Sequence, residues 1–363
     1  MIEKGKISSL QMAIMIFPAV VATGDLLLPA VMSKHAGRDA WIPPIIASFI
    51  GYLTIYILFQ LHKRYPKKTI IEYAEMIVGR LAGKTLTFLI LCYFLISNGV
   101  IIRQYGEFVV LTFLQRTPMI VVLGSMALVC GFAIRGGVEV LARLCEMLVP
   151  IVIFLWVFVV VLLIPEMETK NLLPILEKGW MPSIKGAISP MGWFSHVMLI
   201  AFLLPFITDV EKGMKWGMIS VFCIFFTLFS INVATLLVFG GITSGLTFPV
   251  MNASRYISVA DFLQHLEAII MAIWIVSAFM KISLYLFATS VGISQWLHLS
   301  DYRPSVFPLA FILLLLGSWV SPNLAELSHY VGTITPFYNL TIELVIPICL
   351  LLIAFIRQRF VKV

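Results

Sequence analysis

The chain has 363 residues, 61% of them hydrophobic and 12% charged, with a mean hydropathy of +1.03 and a formal net charge of +7. An ordinary soluble domain is about 45–50% apolar and about 25% charged. So little charge excludes a soluble globule, a secreted module, a disordered chain and a DNA-binding domain, and implies an integral membrane protein.

The N-terminal stretch, MIEKGKISSLQMAIMIF, is basic and then apolar. No small-residue cleavage site follows, so the expectation is a retained first span, not a signal peptide. A span needs about 20 mostly apolar residues. Ten candidates follow in chain order: 8–33, 41–61, 84–113, 118–134, 142–164, 187–207, 216–239, 264–292, 306–320 and 336–356. Two shorter stretches, 70–80 and 176–186, read as amphipathic connectors. Cys92, Cys130, Cys145, Cys223 and Cys349 have no metal-like or disulfide-like spacing and read as small buried hydrophobes.

The basic residues orient these spans. With the N-terminus inside, the cytoplasmic side collects Lys4, Lys6, the cluster from Lys63 to Lys84, Arg135, Arg143, Lys212, Lys215, Arg303, Arg357, Arg359 and Lys362. The outer side holds the thinner set Lys34, Arg38, Arg116, Lys170, Lys178, Lys185 and Arg255. This excess places both termini in the cytoplasm and requires an even number of spans. The net charge of +7 is then topology, and no nucleic-acid partner is implied.

The single domain, 1–363, divides at a polar loop near 165–180 that carries Pro165 and Pro174, with Pro182 just beyond. Five spans lie on each side, approximately 8–164 and 180–356, so the second half is inverted relative to the first. Inverted repeats of this kind place their site where the first helix of each half unwinds. Span 1 contains Thr23-Gly24-Asp25 and then Pro29; span 6 contains Ser189-Pro190-Met191-Gly192-Trp193-Phe194-Ser195-His196 and later Pro205. Breaks are expected in both. A freed half-helix N-terminus suits a carboxylate, and freed carbonyls suit an ammonium. A small zwitterion such as an amino acid matches both. The expected ligand-binding set is Ala22, Thr23, Gly24 and Asp25 with Gly192, Trp193, Ser195 and His196. Span 3 adds Tyr93, Ser97 and Asn98, and span 8 adds Ser277.

Ionisable groups inside a membrane are costly and mark function. Asp25, Arg103, Glu107, His196, Lys281 and Glu343 qualify. Arg103 and Glu107, four apart on span 3, can neutralise each other, or Arg103 can gate an anionic group from outside. His196 is either a proton-sensitive ligand contact or a hydrogen-bonded interior histidine. No role for Glu343 is readable. The stretch from Arg135 through Glu139 and Arg143 to Glu146 alternates in sign and suggests intrahelical pairs starting span 5.

Enzymatic motifs are missing: there is no HExxH, CxxC or GxSxG. Gly79-Arg80-Leu81-Ala82-Gly83-Lys84-Thr85 is one residue short of a phosphate loop and follows no strand. No metal, cofactor or catalytic residue is expected, and the chain reads as a non-enzyme.

The run Gly24-Asp25-Leu26-Leu27-Leu28-Pro29, then Lys34-His35-Ala36-Gly37-Arg38-Asp39-Ala40-Trp41-Ile42, resembles the span 1–2 region of the spore-germination permease family. So do Arg135-Gly136-Gly137 leading to Glu139, Arg143 and Glu146, the Gly192-Trp193 to Pro205 stretch, and Lys281 with Tyr285. The family comprises B subunits of germinant receptors, within the amino acid/polyamine/organocation superfamily. The resemblance covers essentially the whole chain. It implies an all-α, ten-helix LeuT-type bundle with a 5+5 inverted repeat and broken helices 1 and 6. It implies residence in the inner spore membrane and a mid-membrane pocket for an amino acid or other small nutrient. It also implies partnership with a membrane-embedded A subunit and a lipoprotein C subunit, and signalling for germination. In such a bundle span 8 runs beside span 1. Lys281 can then stand where related folds hold sodium, with Asp25 as counter-charge, directly or through water. The other possibility is that Asp25 caps a half-helix and Lys281 pairs elsewhere. Asp25 and His196 depart from the residue types usual in relatives, so an alanine-type specificity does not transfer. A proton-coupled amino-acid transporter of the same fold is the alternative function.

Overall fold

The computed structural model describes residues 3–256 and 266–360. Lys362 and the first two residues expected in span 8 lie outside the described residues. The described chain is helical, with one isolated parallel bridge between Ile7 and Ile207.

Among the described residues, eight helices are long and apolar enough to cross a bilayer. Helix α1 (Ser9–Ala36) opens with a capping box in which Ser8 Oγ accepts from the Gln11 N–H and the Gln11 side chain accepts from the Ser8 N–H. Helix α2 (Ile42–Arg64) follows a short 3-10 turn. The connector expected at 70–80 is the amphipathic α3 (Ile70–Val78), capped by Thr69 and Glu72. Gly79, at φ +91, turns the chain into α4 (Arg80–Thr112), a conformation that favours glycine. Gly83 then packs on the α3 backbone: a Cβ there would lie 2.4 Å from Glu75 Cα.

Helices α5 (Met119–Arg135) and α6 (Val138–Leu163) follow. Helix α7 (Met181–Phe194) begins directly after the loop that follows α6, so 176–186 is not a separate connector helix. The chain continues through a 3-10 segment (Ser195–Leu199), the short α8 (Ile200–Leu203) and a second 3-10 turn (Leu204–Phe206). Next come α9 (Val210–Phe239), the short α10 (Pro249–Tyr256) and α11 (Glu267–Trp296). Helices α12 (Arg303–Trp319) and α13 (Leu324–Thr333) qualify as a span only as a pair bent by 104°. The last span, Thr335–Arg357, joins α14 (Thr335–Leu340), a π-helical turn (Thr341–Val345) and α15 (Ile346–Phe360).

The difference from ten expected spans has a simple cause. Helices α5 and α12 have 17 residues each. At 1.5 Å per residue each rises about 26 Å, at the lower limit of about 17–25 residues for a membrane span.

Helix α1 is the axis of the bundle. It packs against α9, α7, α11 and α6, and almost all its residues from Met12 to Ser33 are buried. A helix apolar on every side belongs in such a centre. Helices α5 and α6 instead present Phe132, Phe154 and Val161 outward. Cys130 and Cys145 are buried as expected, whereas Cys223 and Cys349 are exposed.

Helix 1 differs from expectation: α1 runs unbroken through Thr23-Gly24-Asp25 and past Pro29. A break would free several backbone groups that need partners, whereas in the continuous helix only the acceptors facing Pro18 and Pro29 lose theirs. Gly24 serves packing instead, with Leu228, Leu28 and Trp193 against its Cα face. In span 6 the α-helix changes at Ser195, where the sequence placed the disruption, but the backbone tightens into 3-10 turns rather than opening.

The residues before α1 tie several helix ends together. The Ile7 N–H donates to Phe206 O at 3.0 Å, and the Thr208 N–H donates to Ile7 O at 3.0 Å. The Ser9 N–H and hydroxyl both donate to Asp209 at 2.7 Å. Partial burial pushes the Asp209 carboxyl up, but these Ser9 donors hold it below the usual carboxylate value overall. Glu3 accepts from the Gly5 N–H at 2.7 Å, the Val138 N–H at 3.3 Å and the Tyr302 hydroxyl at 2.9 Å. Burial, then the Glu3 charge, push the Tyr302 hydroxyl up. Glu139 and Glu146 also face this segment, accepting from the Lys6 N–H and Gln11 Nε2. The sign alternation from Arg135 to Glu146 therefore anchors the N-terminus, and no intrahelical ion pair forms there among the described residues.

Candidate functional site

A cavity of about 560 Å³ lies between α1, α4, α7, α11, α13 and the start of the last span. Thr23, Tyr93, Ser97, Trp193, His196 and Lys281 line it. All six belong to the residues singled out in the sequence. Gln104, Tyr330, Tyr338 and Asn339 also line it and were not expected.

Lys281 is the charged group on the inner wall. It is fully buried, and its Nζ donates to Thr23 Oγ1 at 2.7 Å. The Trp193 indole N–H donates to the same hydroxyl at 3.0 Å. Thr23 thus joins α1, α7 and α11. An ammonium has three donors, and Thr23 is its one hydrogen-bond partner among the described residues. The remaining donors lie on a cavity wall that is mostly apolar.

A second cluster stands behind this wall. Glu343, fully buried, accepts from Ser195 Oγ at 2.7 Å. The His196 Nδ1 lies 2.8 Å from Glu343 Oε2 and 2.8 Å from the Tyr285 hydroxyl. Tyr285 is one turn beyond Lys281 on α11 and donates to Glu343 Oε1 at 3.4 Å. Glu343 occupies the π-helical turn. Pro347 has no N–H for the Glu343 carbonyl, which loosens the ladder there, and single π turns are frequent at functional sites. Asn339, one turn earlier, donates to Gly192 O at 3.0 Å and accepts from the Tyr93 hydroxyl at 2.8 Å. Gly192 permits this approach: a Cβ there would lie 2.7 Å from Pro336 Cα.

The remaining expected residues sit elsewhere. Ala22 and Gly24 are packed in the bundle core. Asn98 donates to Ile282 O at 3.2 Å, tying α4 to α11. Gly192 and Ser195 support the wall through Asn339 and Glu343 and do not line it. Ser277 is buried on α11, off the lining. Asp25 does not cap a helix end, because α1 is continuous, and no direct Asp25–Lys281 ion pair forms. Both Asp25 carboxylate oxygens are buried without a hydrogen-bond partner among the described residues.

Arg103 and Glu107 form the expected pair, 2.7 Å apart. Arg103 also donates to the carbonyls of Gly317 at 3.3 Å and Ser318 at 3.2 Å, at the C-terminal end of α12. A guanidinium there satisfies carbonyls that the helix end leaves open. Neither residue lines the cavity; their neighbour Gln104 does.

Tyr285 and Asn339 are the main residues missing from the sequence-based site. Tyr285 stood in the resemblance beside Lys281. Pro336 and Pro347, flanking Glu343, were the available signal for irregular backbone in the last span.

The model of the family described as "Spore germination protein" matches residues 6–323. The chain belongs to this spore-germination family. Spore germination protein KB of Bacillus subtilis (strain 168) is 28% identical, over 98% of this chain and 96% of that protein. Spore germination protein XB of Bacillus anthracis is 26% identical, over 76% of this chain and 78% of that protein. Among solved structures, a Na+-coupled sialic acid symporter in a substrate-bound outward-open state aligns with TM-score 0.65 and 13% identity. The alignment covers 90% of this chain and 78% of the symporter. At that identity the likeness shows the fold: this family member is an all-helical, multi-pass membrane protein with a LeuT-type arrangement.

Proposed function

We propose that this protein is a germinant-receptor B subunit that binds a small nutrient in the cavity beside Lys281 and signals spore germination. The observation that carries the reading is the inner wall. A buried ammonium with free donors faces a cavity whose other polar groups come from α1, α4, span 6, α13 and α14. A ligand there touches α1, α4, α11 and the last span at once, so its binding shifts the balance between arrangements of these helices. The continuous α1 favours sensing over transport, since sites in transporters of this kind are typically built on discontinuous helices.

In this reading α5 and α12 also cross the membrane, giving ten spans in two inverted halves, with both termini in the cytoplasm. The protein sits in the inner spore membrane and works with a membrane A subunit and a lipoprotein C subunit. A nutrient amino acid is the expected ligand class.

The test combines binding with flux in proteoliposomes. Nutrient-dependent thermal stabilisation without uptake supports the receptor. Uptake driven by a proton gradient supports the alternative transporter. Lys281→Met and Thr23→Ala should each abolish the stabilisation; if both leave it intact, the cavity is not the site.

A further inference from the structure

The two ring nitrogens of His196 meet different surroundings. Nδ1 lies 2.8 Å from Glu343 Oε2, 3.1 Å from Oε1 and 2.8 Å from the Tyr285 hydroxyl. Nε2 has no hydrogen-bond partner among the described residues and is not sealed in the core. His196 is 5% exposed and lines the cavity. With Nδ1 turned to Glu343 behind the wall, Nε2 lies on the cavity edge of the ring.

The partners of Glu343 fix which nitrogen carries the proton. Its carboxylate accepts from Ser195 Oγ at 2.7 Å and from the Tyr285 hydroxyl at 3.4 Å. An ionised carboxylate only accepts, with room for about four donors. Nδ1 therefore donates to Glu343, and in the neutral ring Nε2 is the acceptor.

The inner wall then carries two unlike groups. Lys281 offers ammonium donors, and His196 offers a lone pair backed by the Glu343 carboxylate. The same contacts hold them side by side. Tyr285, bonded to His196, is one turn beyond Lys281 on α11. Trp193, three residues before His196, shares the Thr23 hydroxyl with Lys281. Two other acceptors on the wall are taken: Thr23 Oγ1 by Lys281 and Trp193, and Asn339 Oδ1 by Tyr93. Among the described residues no aspartate or glutamate lines the cavity. Much of the remaining lining is apolar, including Val100, Ile101 and Val331.

We propose that His196 Nε2 accepts from the amine of a free amino acid with an apolar side chain, whose carboxylate sits on Lys281. Glu343 is the positioning residue that holds the imidazole in the required tautomer. The proposal rests on the reading of this cavity as the nutrient site. An α-amino acid carries its ammonium and carboxylate on one carbon, so its site needs an acceptor beside a donor. A carboxylate behind an imidazole fixes the ring and raises the basicity of the far nitrogen, as it does behind metal-bound histidines.

The test uses the full chain in lipid nanodiscs, read by thermal stabilisation. The probes are L-alanine, L-valine, L-leucine and L-phenylalanine. Each is set against the same acid without its amine: propanoate, 3-methylbutanoate, 4-methylpentanoate and 3-phenylpropanoate. At least one amino acid should half-saturate the native chain at a concentration about tenfold below its amine-free counterpart, the factor a charged hydrogen bond supplies. Two substitutions separate the ring nitrogens. Asparagine can keep a donor near the place of Nδ1 and has nothing at the place of Nε2. Glutamine reaches the place of Nε2 with its amide oxygen. His196→Asn should reduce the amino acid to the affinity of its counterpart, which itself changes little. His196→Gln should keep part of the preference. Glu343→Gln should shrink the preference too, and supplies the same reading if His196→Asn does not fold. Lys281→Met should weaken both members of each pair alike. Unfolding of each variant without probe checks that it is folded.

Equal half-saturation by amino acids and their amine-free counterparts in the native chain removes the amine contact. A preference that survives His196→Asn places the amine elsewhere, on Asp25 if Asp25→Asn abolishes it. Equal weakening of both members of a pair by His196→Asn makes His196 a wall residue only. In each of these cases, sensitivity to Lys281→Met keeps the cavity as the nutrient site and sinks the His196 assignment alone. If none of the amino acids stabilises the native chain, the proposal falls. Stabilisation by D-ribose that Lys281→Met abolishes would then leave the cavity reading standing. If Lys281→Met changes nothing for any probe, the cavity reading falls with it.

Discussion

Two sets of buried charges serve this membrane protein differently. Arg103 and Glu107 lie four residues apart on one helix, neutralise each other and close the end of α12. Lys281 and Glu343 lie on different helices, and their partners come from α1, span 6 and α11. The first set is complete, with its charges consumed inside the protein. The second is incomplete, because Lys281 keeps donors at a cavity wall. A charge whose partners are local can be structural scaffolding. A charge assembled from distant elements and left partly unpaired reports on the relative placement of those elements.

The largest expected effects test that contrast directly. Glu343→Ala strips the acceptor from Ser195, His196 and Tyr285 and leaves a buried hole in the network. Breaking a buried pair costs about 3–5 kcal/mol, to be read from denaturation in detergent; a loss under about 1 kcal/mol would mean the cluster is not a unit. Arg103→Met should cost a comparable amount by stranding Glu107. Adding Glu107→Leu should recover most of it, since well-packed apolar replacements of buried pairs are often neutral. The double variant should keep its nutrient response, whereas Lys281→Met with Glu343→Gln should recover neither. A double Arg103 and Glu107 variant that folds but no longer responds would erase the distinction.

A smaller effect is expected at Gly192, where Ala must displace the Pro336 backbone. Overpacking of this kind costs about 1–3 kcal/mol, and it should lower nutrient-dependent stabilisation along with thermal stability. Thr23→Ala removes the acceptor shared by Lys281 and Trp193. Interhelical hydrogen bonds in membranes average about 0.6 kcal/mol, so stability should fall by about 1 kcal/mol while ligand sensitivity falls far more. Equal losses of the two would place Thr23 with the scaffold.

The smallest effect lies outside the membrane. Asp209 is held below its usual value by Ser9 once burial is offset. A carboxyl lowered in the folded state stabilises above its unfolded pKa of about 3.9, and that gain disappears as pH falls through the folded value. Ser9→Ala should remove this increment, so the difference in stability between native and variant at pH 6 should shrink below about pH 4.

The Arg103–Glu107 pair was legible in the sequence because helical spacing alone brings the two together. Thr23, Trp193, His196 and Lys281 were legible as unusual residues in apolar spans, and the fold gathers them on one cavity. Asn339 and Tyr285 were not, because an asparagine or tyrosine in a span is unremarkable until its partner is known. The uninterrupted α1 was also hidden: Gly and Pro permit a break, but whether backbone bonds stay closed depends on what surrounds them. In a core this tightly packed the closed ladder wins.

The composition by itself determined that the chain lives in a membrane, since 61% apolar and 12% charged residues leave no other surface to cover. Basic residues in the loops supplied an expected orientation, and the rarity of charges in the spans named the few that matter. Which of those charges meet was decided only by tertiary structure. Helices carry their side chains at fixed local spacing, but contacts between helices depend on how the whole bundle closes. That closure brought Glu343 to His196, joined Lys281 to Thr23 rather than pairing it directly with Asp25, and left a cavity beside α4.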